Sequence, residues 1–96
     1  MNYYIVSFDR RPTAAYARFH TDFVAHPEIV RWCHYIKSSY LLGTDMSASD
    51  VSSHFRTTAK KHELPTRHIV LGIDLGNRAG WLPRGAWDWI RQQLEE

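Results

Sequence analysis

The sequence opens on NYYIVSFDRR, Asn2 to Arg11, where an apolar run leads directly into a carboxylate and two arginines. The aromatic and β-branched residues of this run predict a β-strand that ends at Asp9. The two alternating faces of the strand are both largely apolar, with Tyr3, Ile5 and Ser7 on one and Tyr4, Val6 and Phe8 on the other. A strand with one face in water should alternate between polar and apolar residues, so we expect a central strand that is covered on both faces.

The composition indicates a single small domain. The 96 residues suffice for a real but small core, and no apolar run is long enough to span a membrane. Because the first strand begins almost at Met1, we expect no signal peptide, and the single Cys33 excludes an internal disulfide framework. We therefore expect a cytoplasmic protein. The net charge of +2 does not by itself indicate nucleic-acid binding, but the cations cluster at Arg10–Arg11, Lys60–Lys61 and Arg67.

The remaining chain shows a regular alternation of helix and strand patterns. It predicts a helix at 13–25, strands at 29–35 and 40–42 joined by a tight turn and closed by Gly43, a helix at 48–61 capped by Ser47, a strand at 68–75 and a last helix at 82–95. The order β-α-β-β-α-β is the ferredoxin-like α+β plan, with sheet order 4-1-3-2 and a C-terminal helix added. Residues 1–96 form one domain in this interpretation.

The ferredoxin-like plan places helices on only one face of the sheet. The second face of the first strand therefore needs another cover, for which a second copy of the chain is the economical candidate and the C-terminal tryptophan helix is the rival. The residues that we expect in core or dimer packing are Tyr4, Val6, Phe8, Trp81, Trp87 and Trp89. The same tryptophans could instead form a stacking platform for bases.

The predicted topology brings one set of polar residues to a single edge of the sheet, while Asp45 and Asp74 fall at the opposite edge. We predict that this edge binds nucleic acid through Arg10, Arg11, Lys37, Ser38, Ser39, Arg67 and His68. Cations at strand ends are also commonly just solvated. Asp9 either has a structural role, in which it pairs with Arg10 or Arg67 or caps a turn, or, in a two-fold dimer, it meets Asp9 of the other chain and holds a divalent cation. The histidines lack the spacing of a metal site, and Ser38 and Ser39 lack the partners of a nucleophile.

Three stretches carry a resemblance to a known family. YYIVSFDRR and KSSYLL resemble the opening and third strands of the small dimeric CRISPR-associated endoribonucleases. Thr44–Asp45–Met46–Ser47 and the tail from Gly80 to Trp89, GWLPRGAWDW, are closer still to the CRISPR-small-nuclease-like proteins labelled "SinR family". The virulence-associated protein D ribonuclease toxins are similar in fold. The likeness covers nearly the whole chain, through the order of short motifs.

The resemblance implies a ferredoxin-like homodimer and, in its nuclease members, a catalytic metal on the aspartate that ends the first strand, a position that only Asp9 matches. Two features depart from the CRISPR pattern: a tryptophan helix replaces the fifth strand, and Arg10 and Arg11 follow the aspartate.

Two functions remain open. One is a non-catalytic nucleic-acid or protein-binding dimer in phage defence or a toxin–antitoxin pair. The other is a nuclease in which Asp9 of both subunits holds Mg²⁺ or Mn²⁺.

Overall fold

The computed structural model describes residues 1–95, and its elements follow the predicted order. They are β1 (Asn2–Phe8), α1 (Ala15–Val24), β2 (Ile29–Ile36), β3 (Ser39–Thr44), α2 (Ala48–Lys61), β4 (His68–Gly72) and α3 (Arg84–Leu94). The strands form one antiparallel sheet in the order β2-β3-β1-β4, which is the predicted order read from the other edge. The ferredoxin-like α+β class is thus confirmed. No helix in this part of the chain is long and apolar enough to cross a membrane.

The main core lies between one face of the sheet and helices α1 and α2. Tyr4, Val6 and Phe8 of β1 point into it and are buried. Phe55 of α2 meets the ring of Phe8 at a centroid distance of 5.2 Å. The core is largely aromatic, which accounts for much of the high aromatic content of the sequence. Tyr4, Val6 and Phe8, which we expected in core or dimer packing, therefore pack in the core of their own chain.

The second face of the sheet carries a smaller cluster, and α3 covers part of it. Ile90 of α3 packs with Leu41 of β3 and with Leu75, and Trp87 and Trp89 lie against this cluster. The C-terminal helix is therefore a cover of the second face within the chain. Trp81 lies outside this packing and is 93% exposed.

The α3 helix leaves the β4 end of the second face open. Ile69 and Leu71 point to this face and are 53% and 50% exposed, respectively. An apolar strip therefore remains along the outer strand of the sheet.

Local sequence signals predicted the boundaries of some elements more accurately than those of others. Helix α2 has the predicted bounds, and the Ser47 hydroxyl accepts a hydrogen bond from the Asp50 amide at 3.1 Å, as a capping residue should. Gly43, expected to close β3, lies inside it instead. A Cβ at this position would approach the Tyr3 ring to 3.0 Å, so the glycine makes room for an aromatic neighbour.

Two half-buried histidines predict an acid-sensitive fold. Burial is the main cause that lowers the pKa of His54, and of His20, below the ordinary value of 6.5, and the neighbouring His26 and His34 lower them further. The unfolded chain then binds more protons than the folded chain just below that value. We expect the free energy of unfolding to fall as the pH drops below about 6.5.

Urea unfolding at about pH 7.5 and about pH 5, followed by circular dichroism, measures this effect. The His54→Gln variant, which keeps a hydrogen-bond donor towards the Phe23 carbonyl, should show a smaller difference between the two conditions than the wild-type chain. Equal urea midpoints at both pH values for the wild-type chain would contradict the prediction.

Candidate nucleic-acid interface

Backbone hydrogen bonds gather three chain segments at one edge of the sheet. The Phe8 amide donates to the Ser38 carbonyl at 3.0 Å, and the Asp9 amide donates to the Arg67 carbonyl at 3.1 Å. The end of β1, the β2–β3 turn and the start of β4 therefore meet, as the topology predicted. We call Arg10, Arg11, Lys37 and Arg67 the cationic edge.

Tyr16, on the first turn of α1, holds the two consecutive arginines of the cationic edge. Its hydroxyl accepts a hydrogen bond from the Arg11 amide at 3.0 Å and donates to the Asp9 carbonyl at 3.4 Å. The Arg10 guanidinium lies over the Tyr16 ring, 4.1 Å from its centroid. A cation–π contact of this kind orients the guanidinium without neutralising its charge.

The other contacts of these cations also leave their charge in place. Arg10 donates to the Lys37 carbonyl at 3.5 Å, and Arg11 donates to the Glu63 carbonyl at 3.4 Å. Within residues 1–95, no carboxylate lies within ion-pair distance of Arg10, Arg11 or Lys37. The cationic edge therefore combines partly fixed geometry with a net positive field, which suits a phosphate ligand.

Asp9 is the carboxylate of this region, and it pairs with Arg67. The Arg67 Nε donates to Asp9 Oδ2 at 2.7 Å, so one of the two alternatives for Asp9 is realised in the structure. The Arg67 side chain is largely exposed and that of Asp9 is half-exposed, and a surface pair of this kind contributes about 0–1 kcal/mol. A stronger ligand for Arg67, such as a phosphate, can therefore compete with Asp9.

Two open grooves flank Asp9. One has a volume of about 640 Å³ and runs between Arg10 and Lys37. The other, of about 370 Å³, lies between Ser7 and Arg67. Both are shallow and open to water, which fits an extended polymer better than an enclosed small molecule.

Three of the predicted nucleic-acid-binding residues are placed differently from the cations. Ser39 is buried, and its hydroxyl lies 3.1 Å from the Ser7 hydroxyl on the second face of the sheet. His68 turns towards α2: its Nε2 accepts from the Ser52 hydroxyl of this helix, and its Nδ1 donates to the Thr66 carbonyl two residues earlier in the chain. Ser38 is half-buried and contributes its backbone carbonyl to β1. The cations, rather than these three side chains, present the polar groups of the edge.

The side chains around Asp9 do not fit a divalent metal within one chain. Mg²⁺ and Mn²⁺ take several oxygen ligands, usually including carboxylates. Within the described residues, no three His, Cys, Asp or Glu side chains lie close enough together to hold a metal ion. Asp45 lies at the opposite end of β1, 3.5 Å from the amino group of Met1, and Asp74 is also at that end. A metal on Asp9 would need ligands from a second chain.

Comparisons with known proteins found no match: no family model, no curated protein and no solved structure matches this chain. The site is therefore judged from its own geometry.

Sequence reasoning identified the cations but not the residue that orders two of them. In the sequence, Tyr16 lies beside the apolar stripe of α1 formed by Ala15, Phe19 and Phe23, and a tyrosine in a helix commonly belongs to the core. A signal was present in its position, a few residues after two arginines and at the start of a helix that must pack under them. Only the packing of α1 shows that its hydroxyl reaches Asp9 and Arg11.

Proposed function

We propose that the protein is a non-catalytic nucleic-acid-binding module that holds the phosphate backbone on its cationic edge. The observation that carries the proposal is the convergence of Arg10, Arg11 and Lys37, whose charges no carboxylate of the described chain neutralises. Arginine and lysine contacts to phosphates supply most of the sequence-independent affinity of nucleic-acid-binding proteins. Arg67 joins them when a phosphate replaces Asp9.

The shape of the edge supports a single strand as the ligand. The grooves on the two sides of Asp9 lie next to each other along the ends of β1, β3 and β4, so that a flexible backbone can follow them. The side chains of His68 and Ser39 are engaged inside the fold, so the groups that the edge presents to a ligand are mainly its cations, which contact phosphates. Binding should therefore depend weakly on base sequence.

Neutralising the two central arginines should weaken binding strongly. We expect the Arg10→Gln/Arg11→Gln variant to bind a fluorescent oligouridine RNA of about 12 nucleotides at least about tenfold more weakly at low salt, because two phosphate contacts are lost. Fluorescence anisotropy measures the dissociation constant. A single-stranded DNA of the same length tells whether the sugar matters.

The matched control removes the same charge elsewhere. Arg56 on α2 and Arg84 on α3 are exposed and lie outside the cationic edge. The Arg56→Gln/Arg84→Gln variant has the same net charge as the double variant of the edge and should retain most of the affinity. Equal losses in the two double variants would show that only net charge matters, and the proposed site would be wrong.

A metal-dependent nuclease that uses Asp9 of two chains is the alternative function. Its support is the position of Asp9, a half-exposed carboxylate between two grooves that we expect to hold phosphates. The Asp9→Asn variant separates the two proposals. As a binding module it should bind RNA at least as tightly as the wild-type chain, since a negative charge is removed. RNA cleavage with Mn²⁺ that Asp9→Asn abolishes would instead establish the nuclease.

A further inference from the structure

The outer edge of β4 has free backbone hydrogen-bonding groups. The Asp9 amide binds the Arg67 carbonyl, and the Ile73 amide binds the Tyr3 carbonyl, so the odd-numbered residues of this segment direct their backbone groups to β1. The even-numbered residues, His68, Val70 and Gly72, therefore direct theirs outward. In the described chain β4 pairs only with β1, and no hydrogen bond reaches these outward groups.

The two edges of the sheet differ in how they are protected. At the other edge, β2 shows register shifts against β3 on both sides of the Arg31–Cys33 segment, and β2 carries the charged Arg31. Shifts of this kind bend an edge away from regular pairing. The β1–β4 pairing has continuous register, and β4 contains no lysine, arginine, acidic residue or proline. The β4 edge is thus an unblocked template for another strand.

The sequence of β4 is complementary to itself in one antiparallel register. When Val70 lies opposite Val70 of a second copy, His68 lies opposite Gly72, and all the outward groups form hydrogen-bonded pairs. The exposed Ile69 then faces Leu71 of the second copy on the same face of the joined sheet. At the ends, Arg67 comes within one residue of Asp74 of the second copy, so that opposite charges meet.

From these observations we infer that β4 is a homodimer interface, in which two copies join their sheets edge to edge around Val70. The dimer places the exposed Ile69 and Leu71 of the two copies side by side, so that they contact each other across the new strand pair, and it pairs the free backbone groups of both edges. The two-fold axis lies perpendicular to the sheet, because only this axis keeps Ile69 and Leu71 of both copies on one face. The cationic edge stays outside the interface apart from Arg67.

Sedimentation velocity of the full chain over a wide concentration range tests the interface. We expect a dimer mass for the wild-type chain, and a dissociation constant at least about tenfold higher for Leu71→Lys, because the variant places two lysines among apolar side chains. The control is Val30→Lys, which makes the same kind of change at an exposed apolar position of β2 and should leave the dimer intact.

Disulfide trapping tests the register directly. Residues 69 and 71 of the two copies would form non-hydrogen-bonded pairs, whose Cα atoms lie about 4.5 Å apart and within the range of a disulfide. The Ile69→Cys/Leu71→Cys variant should form a covalent dimer on mild oxidation, whereas the matched Val30→Cys/Ile36→Cys variant on β2 should not. A monomer at every concentration, or a dimer that survives Leu71→Lys and resists trapping through β4, would overturn the inference.

Discussion

The Phe55→Ala variant should lose about 3–5 kcal/mol of unfolding free energy, the usual result of truncating a buried phenylalanine. Phe55 is 1% exposed and lies at the centre of the aromatic core. Its ring centroid is 5.2 Å from those of Phe8 and Phe19 and 4.5 Å from that of His68. Each of these rings is fixed by its own element, so that the cavity left by the truncation cannot close easily.

Urea unfolding followed by tryptophan fluorescence measures this loss. A domain of this size has about 5–15 kcal/mol of total stability, so a large part of the Phe55→Ala population should be unfolded under mild denaturing conditions. Trp81→Ala is the control, since Trp81 is 93% exposed and its removal should change stability by no more than about 0.5 kcal/mol. A loss below about 1 kcal/mol for Phe55→Ala would mean that α2 does not pack as described.

The Ile90→Ala variant should lose about 2–5 kcal/mol, because Ile90 anchors α3 to the second face of the sheet. Ile90 is 4% exposed and packs with Leu41 and Leu75. The variant decides between the two covers that the sequence left open for this face. If α3 is the cover within each chain, truncating Ile90 weakens the fold at every protein concentration.

Leu94→Ala provides the matched control on the same helix. Leu94 is 45% exposed, so its truncation should have less than about half of the effect of Ile90→Ala. Equal and small effects of both variants would contradict the packing of α3 against the sheet and would favour a second chain as the cover of this face.

The fold could be predicted from the sequence because its signals are local and agree with one another. The cap at Ser47 and the apolar stripe through Val51 and Phe55 give the observed bounds of α2. The end of β4 was placed too late, since Ile73 and Leu75 continue the apolar pattern of the strand although they serve the second-face cluster instead. An apolar residue beyond a strand looks the same in sequence whether it pairs in the sheet or packs beneath it.

For the candidate site, the positions of the strand ends could be predicted from the sequence, but the orientations of the side chains could not. Strand directions in the predicted topology were enough to bring Asp9, Lys37 and Arg67 to one edge, and the structure places them there. The orientation of individual side chains could not be predicted, because it depends on what lies beside each residue. His68 turns inward since Ser52 and Phe55 of α2 give it partners, and nothing in its own sequence neighbourhood shows this.

The salt dependence of RNA affinity tests the central claim most directly. Each phosphate held on a single strand contributes about −0.7 to the slope of log affinity against log salt, so three to four contacts at the cationic edge predict a slope of about −2 to −3 between about 50 and 300 mM. Arg10→Gln/Arg11→Gln should reduce the steepness by about 1.4, and Arg56→Gln/Arg84→Gln should leave it nearly unchanged. Affinity that does not vary with salt, or no binding at the lowest salt, would contradict a phosphate-binding role for this edge.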